Sequence, residues 1–190
     1  MSEILVVGSL AYDSIGTPKG RKEKCLGGSA NYFSVTASRY AKINIVGVVG
    51  QDYENENIEL LKKRGVNTSG IERQPGHTFH WEGSYKDDMN EAQTLATHLN
   101  VFEKFNPKVP EEFRTSKVVF LANIDPELQL KVLEQANRPQ LVAVDTMNFW
   151  IQTKLDDLKK VFKKADIVFV NHGEALMLTR KPNAIAAAKA

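Results

Sequence analysis

The chain has 190 residues, of which 42% are hydrophobic and 25% charged, a composition suited to one core of ordinary size or to a large domain carrying a small one. A net charge of +2, with no basic face interleaved with aromatics, argues against nucleic acid as a partner. The single cysteine, Cys25, excludes an internal disulfide and suits a reducing compartment. The first residues lack the charged start and long apolar stretch of a signal peptide, and no apolar run approaches the ~20 residues that span a bilayer. A cytoplasmic protein without a membrane partner is expected.

The first apolar run, Ile4 to Val7, predicts a strand with Asp13 a few residues beyond it. A polar stretch, Ser14 to Cys25, follows, and its basic run from Lys19 to Lys24 reads as a solvated loop. Next comes Gly27-Gly28-Ser29-Ala30-Asn31. Paired glycines let backbone approach a ligand closely and leave the first amides of a helix free to bind it. The same residues also suit a tight strand-to-helix turn with Ser29 as N-cap. Ala30, Phe33, Ala37 and Ala41 then recur at helical spacing.

Ile43 to Val49 predicts a second strand, running into Gly47-Val-Val-Gly50-Gln-Asp52. Ile58, Leu60 and Leu61 form a helical pattern ended by Gly65-Val66. Residues 69–103 break the strand-helix rhythm. Thr78 to Tyr85 and Thr94 to Phe102 favour strands, and the polar residues 86–91 between them make a connection, so a β-hairpin is predicted. With the stretch from Ser14 to Cys25, it would build a small sheet standing off the main one as a lid.

Val118 to Ala122, Leu141 to Val144 and Ile167 to Val170 are further strands, each rich in Val and Ile as expected of buried parallel strands. Pro126 opens a helix carrying Leu128, Leu130, Val132 and Leu133. Asn183 caps a final helix. Alternation of this kind predicts an open, mostly parallel α/β sheet flanked by helices, with right-handed crossovers.

Several common sites are missing. The residues after the first strand read Gly8-Ser-Leu-Ala-Tyr-Asp13, not a dinucleotide fingerprint, and there is neither a P-loop nor a serine-hydrolase elbow. His77 and His80 would face opposite sides of a strand lead-in, a poor metal pair. What remains is a set of polar residues just after strands, where open α/β sheets bind ligands. Asp13 can accept hydrogen bonds from two ligand hydroxyls or cap a turn. Asn31 can reach the same ligand. Asn123 and Asp125 leave one strand and Asp145 and Asn148 the next, each equally suited to capping. Phe149 and Trp150 read as core or a packing wedge. Asn171 and Glu174 stand three apart at a helix start, so they suit either a hydrated Mg²⁺ or a capping box.

In this order, these residues resemble the ribokinase-like carbohydrate kinases, the phosphofructokinase-B family. The resemblance rests on Val6 to Asp13, on Gly27-Gly28-x-x-Asn31, on Val46 to Asp52, on Leu60 to Val66, and on Asp166-Ile-Val-Phe-Val-Asn171-x-x-Glu174. It implies a ribokinase-like fold and ATP- and Mg²⁺-dependent transfer of the γ-phosphoryl group to a sugar or nucleoside hydroxyl under a β-sheet lid. Asp13, Gly27, Gly28 and Asn31 would bind substrate hydroxyls, with Asn123, Asp145 and Asn148 adding polar contacts. Asn171 and Glu174 would help manage Mg²⁺ and phosphate. The lid residues Phe79 and Trp81 would cover the ligand or meet a second subunit in a homodimer.

Two departures are visible. Asn55 stands where the family usually carries glycine. The family's second signature, a Gly-Ala-Gly-Asp-like stretch supplying an anion hole and the catalytic base, has no counterpart, since no glycine follows Gly173 and no aspartate follows Asp166. The 190 residues therefore read as the N-terminal part of one such domain, with lid segments near 12–26 and 69–103 and the base and ATP pocket beyond Ala190. The alternative is a non-catalytic sugar- or nucleoside-binding protein on the same fold.

Overall fold

The computed structural model describes residues 3–86, 89 and 92–190. Among the described residues, ten strands form two sheets, accompanied by seven α-helices. The larger sheet joins β1 (Glu3–Val7), β4 (Lys42–Val49), β5 (Asn67–Arg73), β8 (Val118–Leu121), β9 (Leu141–Asp145) and β10 (Ile167–Phe169) in the order β10-β9-β8-β1-β4-β5, every pairing parallel.

Helices cover both faces, and the period of two along each strand divides the core. Leu5 and Val7 point into one apolar cluster with Val119, Leu121, Val132 of α3 (Pro126–Gln135) and Val161 of α5 (Leu155–Phe162). Val6 points into the other with Phe120, Ala30 of α1 (Ser29–Ala37) and Leu61 of α2 (Asn55–Lys63). Continuous Val/Ile runs in β1 and β4 are what burial on both faces requires.

The smaller sheet is the lid: β2 (Ala11–Thr17), β3 (Gly20–Gly27), β6 (Phe79–Tyr85) and β7 (Ala92–His98), in the order β3-β2-β6-β7. Its central pair, β2 and β6, is parallel, and the outer pairs are antiparallel. The basic run from Lys19 belongs mostly to the exposed strand β3, not to a loop.

The lid is smaller than the sequence suggests. Residues 67–73 pair with β4 and extend the main sheet; as an edge strand with only Gly70 buried, their sequence stays polar. The strand after the connection ends at His98, and Asn100–Lys104 turns into a 3₁₀ helix that tucks Val101 and Phe102 into the core. Of the connection itself, Asp87, Asp88, Asn90 and Glu91 lie outside the described residues. β10 is also unlike its prediction. It is a sheet edge, with Ile167, Val168 and Phe169 exposed by 40, 38 and 50%.

Candidate substrate site at the base of the lid

β1 leaves the sheet at Val7 and the chain climbs into the lid, so Asp13 on β2 stands just above the C-terminal edge of the parallel sheet. The Asp13 carboxylate lies against Gly27, where an added Cβ would come within 2.3 Å of its Cγ. Glycine at 27 is thus the condition for this placement. Among the described residues no side chain or backbone group hydrogen-bonds the Asp13 carboxylate, and burial raises its pKa from the ordinary 3.8 to about 6. A half-buried carboxylate left without partners is costly in a fold and useful to a ligand carrying hydroxyls.

Gly28 caps α1 with φ at +93°, and a Cβ there would meet the carbonyl oxygen of Ser9 at 2.4 Å. The first amides of α1 are not free. Ser29 N–H donates to Ser9 Oγ (3.1 Å) and Ala30 N–H to Ser9 O (3.1 Å). Ser29, predicted as the cap, is the first helical residue; its hydroxyl donates to the Asn123 carbonyl at 3.4 Å. Asn31 is 2% exposed, and its amide donates to Gly27 O and to Tyr53 Oη. It supports the glycine turn from behind.

The second part of the shelf lies at the ends of β8, β9 and β10. Asp145 closes β9, and its pKa is raised to about 6, first by burial and then by the nearby Glu174 carboxylate. Glu174 is raised too, chiefly by burial. Asn171 and Glu174 form a complete capping box on α6 (His172–Thr179), each side chain accepting from the other's backbone N–H at 2.9 Å. One Glu174 oxygen serves the cap and the other stays outside it. Asn123 Oδ1 accepts from Trp150 Nε1 (3.0 Å).

Asn148 is exposed and accepts only from the next residue's amide, at 2.9 Å, so it stands apart from the other candidates. Asp125 caps α3 and pairs with Lys154 Nζ at 2.7 Å.

On the lid, Phe79 and Trp81 share a face of β6 but not a task. Phe79 stacks on Phe102 at 5.3 Å, tying the lid to the core. Trp81 is the register partner of Asp13 and stays half-buried on the lid face.

Several supporting residues escaped the sequence reading. Gln129, fully buried on α3, donates to the carbonyls of Leu121, Ala122 and Asp145, clamping the strand ends that carry the shelf. A polar residue between Leu128 and Leu130 was the available signal. Burial pushes Asp52 up, but bonds from the Thr78 amide and hydroxyl (2.7 Å each) and from His77 outweigh it and hold its pKa down. That lock fixes the turn ending the Gly47 to Asp52 segment.

Two clefts lie elsewhere. One of about 440 Å³ runs between α2 and β5, and one of about 210 Å³ gathers Tyr12, Lys24, His77, His80 and His98 on the other lid face. His77 and His80 thus line one cleft, not opposite sides. Neither cleft includes Asp13 or Asp145, and no group of three or more His, Cys, Asp or Glu among the described residues is placed to hold a metal by itself.

A parallel sheet covered by helices on both faces, with a small β lid beside the C-terminal ends of its strands, is the frame in which open α/β proteins bind ligands. The chain belongs to the pfkB family of carbohydrate kinases, whose sequence model matches residues 1–190. It is 30% identical over 184 residues to a cytidine kinase of Thermococcus kodakarensis, covering 94% of this chain and 65% of that protein.

A nucleoside kinase of Methanocaldococcus jannaschii, an archaeal member of the ribokinase family, superposes with a TM-score of 0.73 at 20% identity, over 95% of this chain and 64% of that one. A structure from E. coli described as a ribokinase II, in complex with ATP and Mg²⁺, gives 0.75 at 15% identity, covering all of this chain and 68% of that one. At such identities the structural likeness speaks for the fold alone. The chain spans about two thirds of the length of each of these relatives.

Proposed function

We propose that this chain is the substrate-binding part of an ATP-dependent carbohydrate or nucleoside kinase, which transfers the γ-phosphoryl group to a substrate hydroxyl. One observation carries the reading: Asp13, partnerless and pressed against Gly27, at the base of the lid. When ionised it accepts from two substrate hydroxyls, each bond worth about 1.5–3 kcal/mol. Gly27 and Gly28 let the substrate approach the backbone, Asn31 keeps that turn in place, and Asn123 and Asp145 offer polar contacts further along the shelf.

The Glu174 carboxylate, with one oxygen outside the cap, is an oxygen donor of the kind that Mg²⁺ takes along with water. Bound Mg²⁺ would neutralise charge on the transferring phosphate. Asn171 holds Glu174 in position through the capping box. Closure of the lid, with Trp81 over the ligand, excludes water from the shelf.

The catalytic base and the ATP pocket belong, in this reading, to a further α/β segment of the native protein that covers the exposed β10 edge. The product would act in the cytoplasm, without nucleic acid or membrane as partner, and pair through its lid. ADP release by the native gene product, with ATP, Mg²⁺ and a panel of polyols, sugars and nucleosides, tests the reading. Turnover of at least one compound is expected. Ligand binding without any ADP release would favour the alternative, a non-catalytic sugar- or nucleoside-binding protein.

A further inference from the structure

Two buried tyrosines meet behind Asp13. Tyr12, its neighbour on β2, and Tyr53, in the turn between β4 and α2, stand with ring centroids 5.5 Å apart and planes at 42°. Their hydroxyls have different partners. Tyr12 Oη donates to the Asp52 carbonyl (3.3 Å) and accepts from the Glu54 amide (2.9 Å) and from Asn57 Nδ2 (3.3 Å), all around the start of α2. Among the described residues Tyr53 Oη meets Asn31 alone, accepting from Nδ2 at 3.0 Å and donating to Oδ1 at 3.3 Å.

The turn that carries Tyr53 is held in place, since Arg73 Nη1 of β5 donates to the Tyr53 carbonyl at 2.8 Å and to that of Gly50 at 3.0 Å. Burial raises the Tyr53 phenol above its ordinary 10, so the hydroxyl keeps its proton. The Asn31 amide nitrogen carries two N–H groups. One goes to Gly27 O and the other to Tyr53, which leaves none for the Asp13 carboxylate lying against the same glycine. Two other titratable groups stand beside Asp13: Cys25, its register partner on β3, and Tyr32 of α1, whose hydroxyl donates to Leu26 O at 3.0 Å. Neither bonds the carboxylate.

We infer that Tyr53 is a positioning residue for the substrate site: it occupies the Asn31 amide and so keeps the Asp13 carboxylate unpartnered for a ligand. This deepens the proposed function and rests on its assignment of Asp13. Without the Tyr53 hydroxyl, a buried N–H of Asn31 is left unpaired, which is costly. The carboxylate on the other side of Gly27 is the acceptor at hand. A hydrogen bond to it favours the ionised form and lowers its pKa, and the amide then competes with substrate hydroxyls for the same oxygens.

Carbon-13 NMR titration of the aspartate carboxyl groups tests this in the ligand-free chain, the Asp13 signal being assigned by its loss in D13N. Wild-type Asp13 is expected to titrate at about 6, and in Y53F about one unit or more lower. Y53F/N31A, which removes the amide as well, should return the midpoint to about 6. Y12F is the structural control. It breaks the bonds around the start of α2 and should lower the melting temperature without moving the Asp13 midpoint. Circular dichroism checks that each variant is folded. A midpoint that Y53F leaves in place, or that Y53F/N31A fails to restore, would overturn the role of Tyr53 and leave the Asp13 site standing. A wild-type midpoint near the ordinary 3.8 would show that the carboxylate already has a partner and would overturn both.

Discussion

At the residue scale the decisive group is Asp13. Folding raises its pKa from 3.8 to about 6, so the folded state holds this proton more tightly than the unfolded chain does. Its stabilising contribution is complete below the unfolded pKa and is lost as pH rises through about 6. D13N should therefore stabilise the protein at neutral pH, by about 1–2 kcal/mol after allowing for solvent and relaxation, while abolishing substrate binding. Thermal melts paired with ligand titration check both halves; a destabilised D13N would show that the carboxylate has a structural partner.

The neighbouring glycines should separate just as sharply. G27A forces the Asp13 carboxylate aside and should weaken binding by about tenfold or more for little change in stability. G28A must place a Cβ at φ +93° against the Ser9 carbonyl, which should cost about 2–4 kcal/mol in a denaturant melt.

At the scale of elements, Asn171 and Glu174 show why spacing alone left two readings open. A capping box and a metal-managing pair demand the same residues three apart at a helix start, and the structure uses the pair as a cap while leaving one carboxylate oxygen outside it. The roles part under E174Q. The amide still accepts from Asn171 N–H, so α6 stability should change by less than about 0.5 kcal/mol, whereas Mg²⁺-dependent turnover of the native enzyme should fall substantially. Equal loss of stability and turnover would make the residue a cap alone.

The strands of the main sheet were legible wherever both faces are buried, as in β1, β4, β8 and β9, because continuous Val/Ile runs have few other uses. β5 was not. An edge strand of Asn, Thr, Ser and Gly carries no apolar period, and its pairing is decided by β4 beside it. The candidate site was legible as residue types, since Asp13 and the glycine pair follow strands at the sheet end where open α/β folds bind ligands. Which of them touch a ligand was not. The sequence carries no sign that Ser9 consumes the first amides of α1, or that Tyr53 and the Gly27 carbonyl occupy Asn31. Ser9 and Tyr53 are 20 and 22 residues distant from the groups they engage.

At the scale of the molecule, the two edges of the large sheet differ. β5 is polar, whereas β10 leaves Ile167, Val168, Phe169 and Val170 all more than a third exposed, with Met177 and Ile185 exposed as well. A contiguous apolar edge of this kind is a surface for association. If a further α/β segment covers it in the native protein, the 190-residue chain should bind a hydrophobic dye such as ANS strongly and the native gene product weakly. Equal dye binding would mean that the edge is exposed in both.

The acceptor-binding residues proposed above all lie within this chain, and the central claim to test is that the ionised carboxylate of Asp13 recognises substrate hydroxyls. The most direct test is ligand affinity measured across about pH 5 to 8 in the wild-type chain and in D13N. Affinity should rise as pH passes through about 6 and vanish at every pH in D13N. A wild-type profile that is flat through that range, or a D13N protein that still binds, would contradict it.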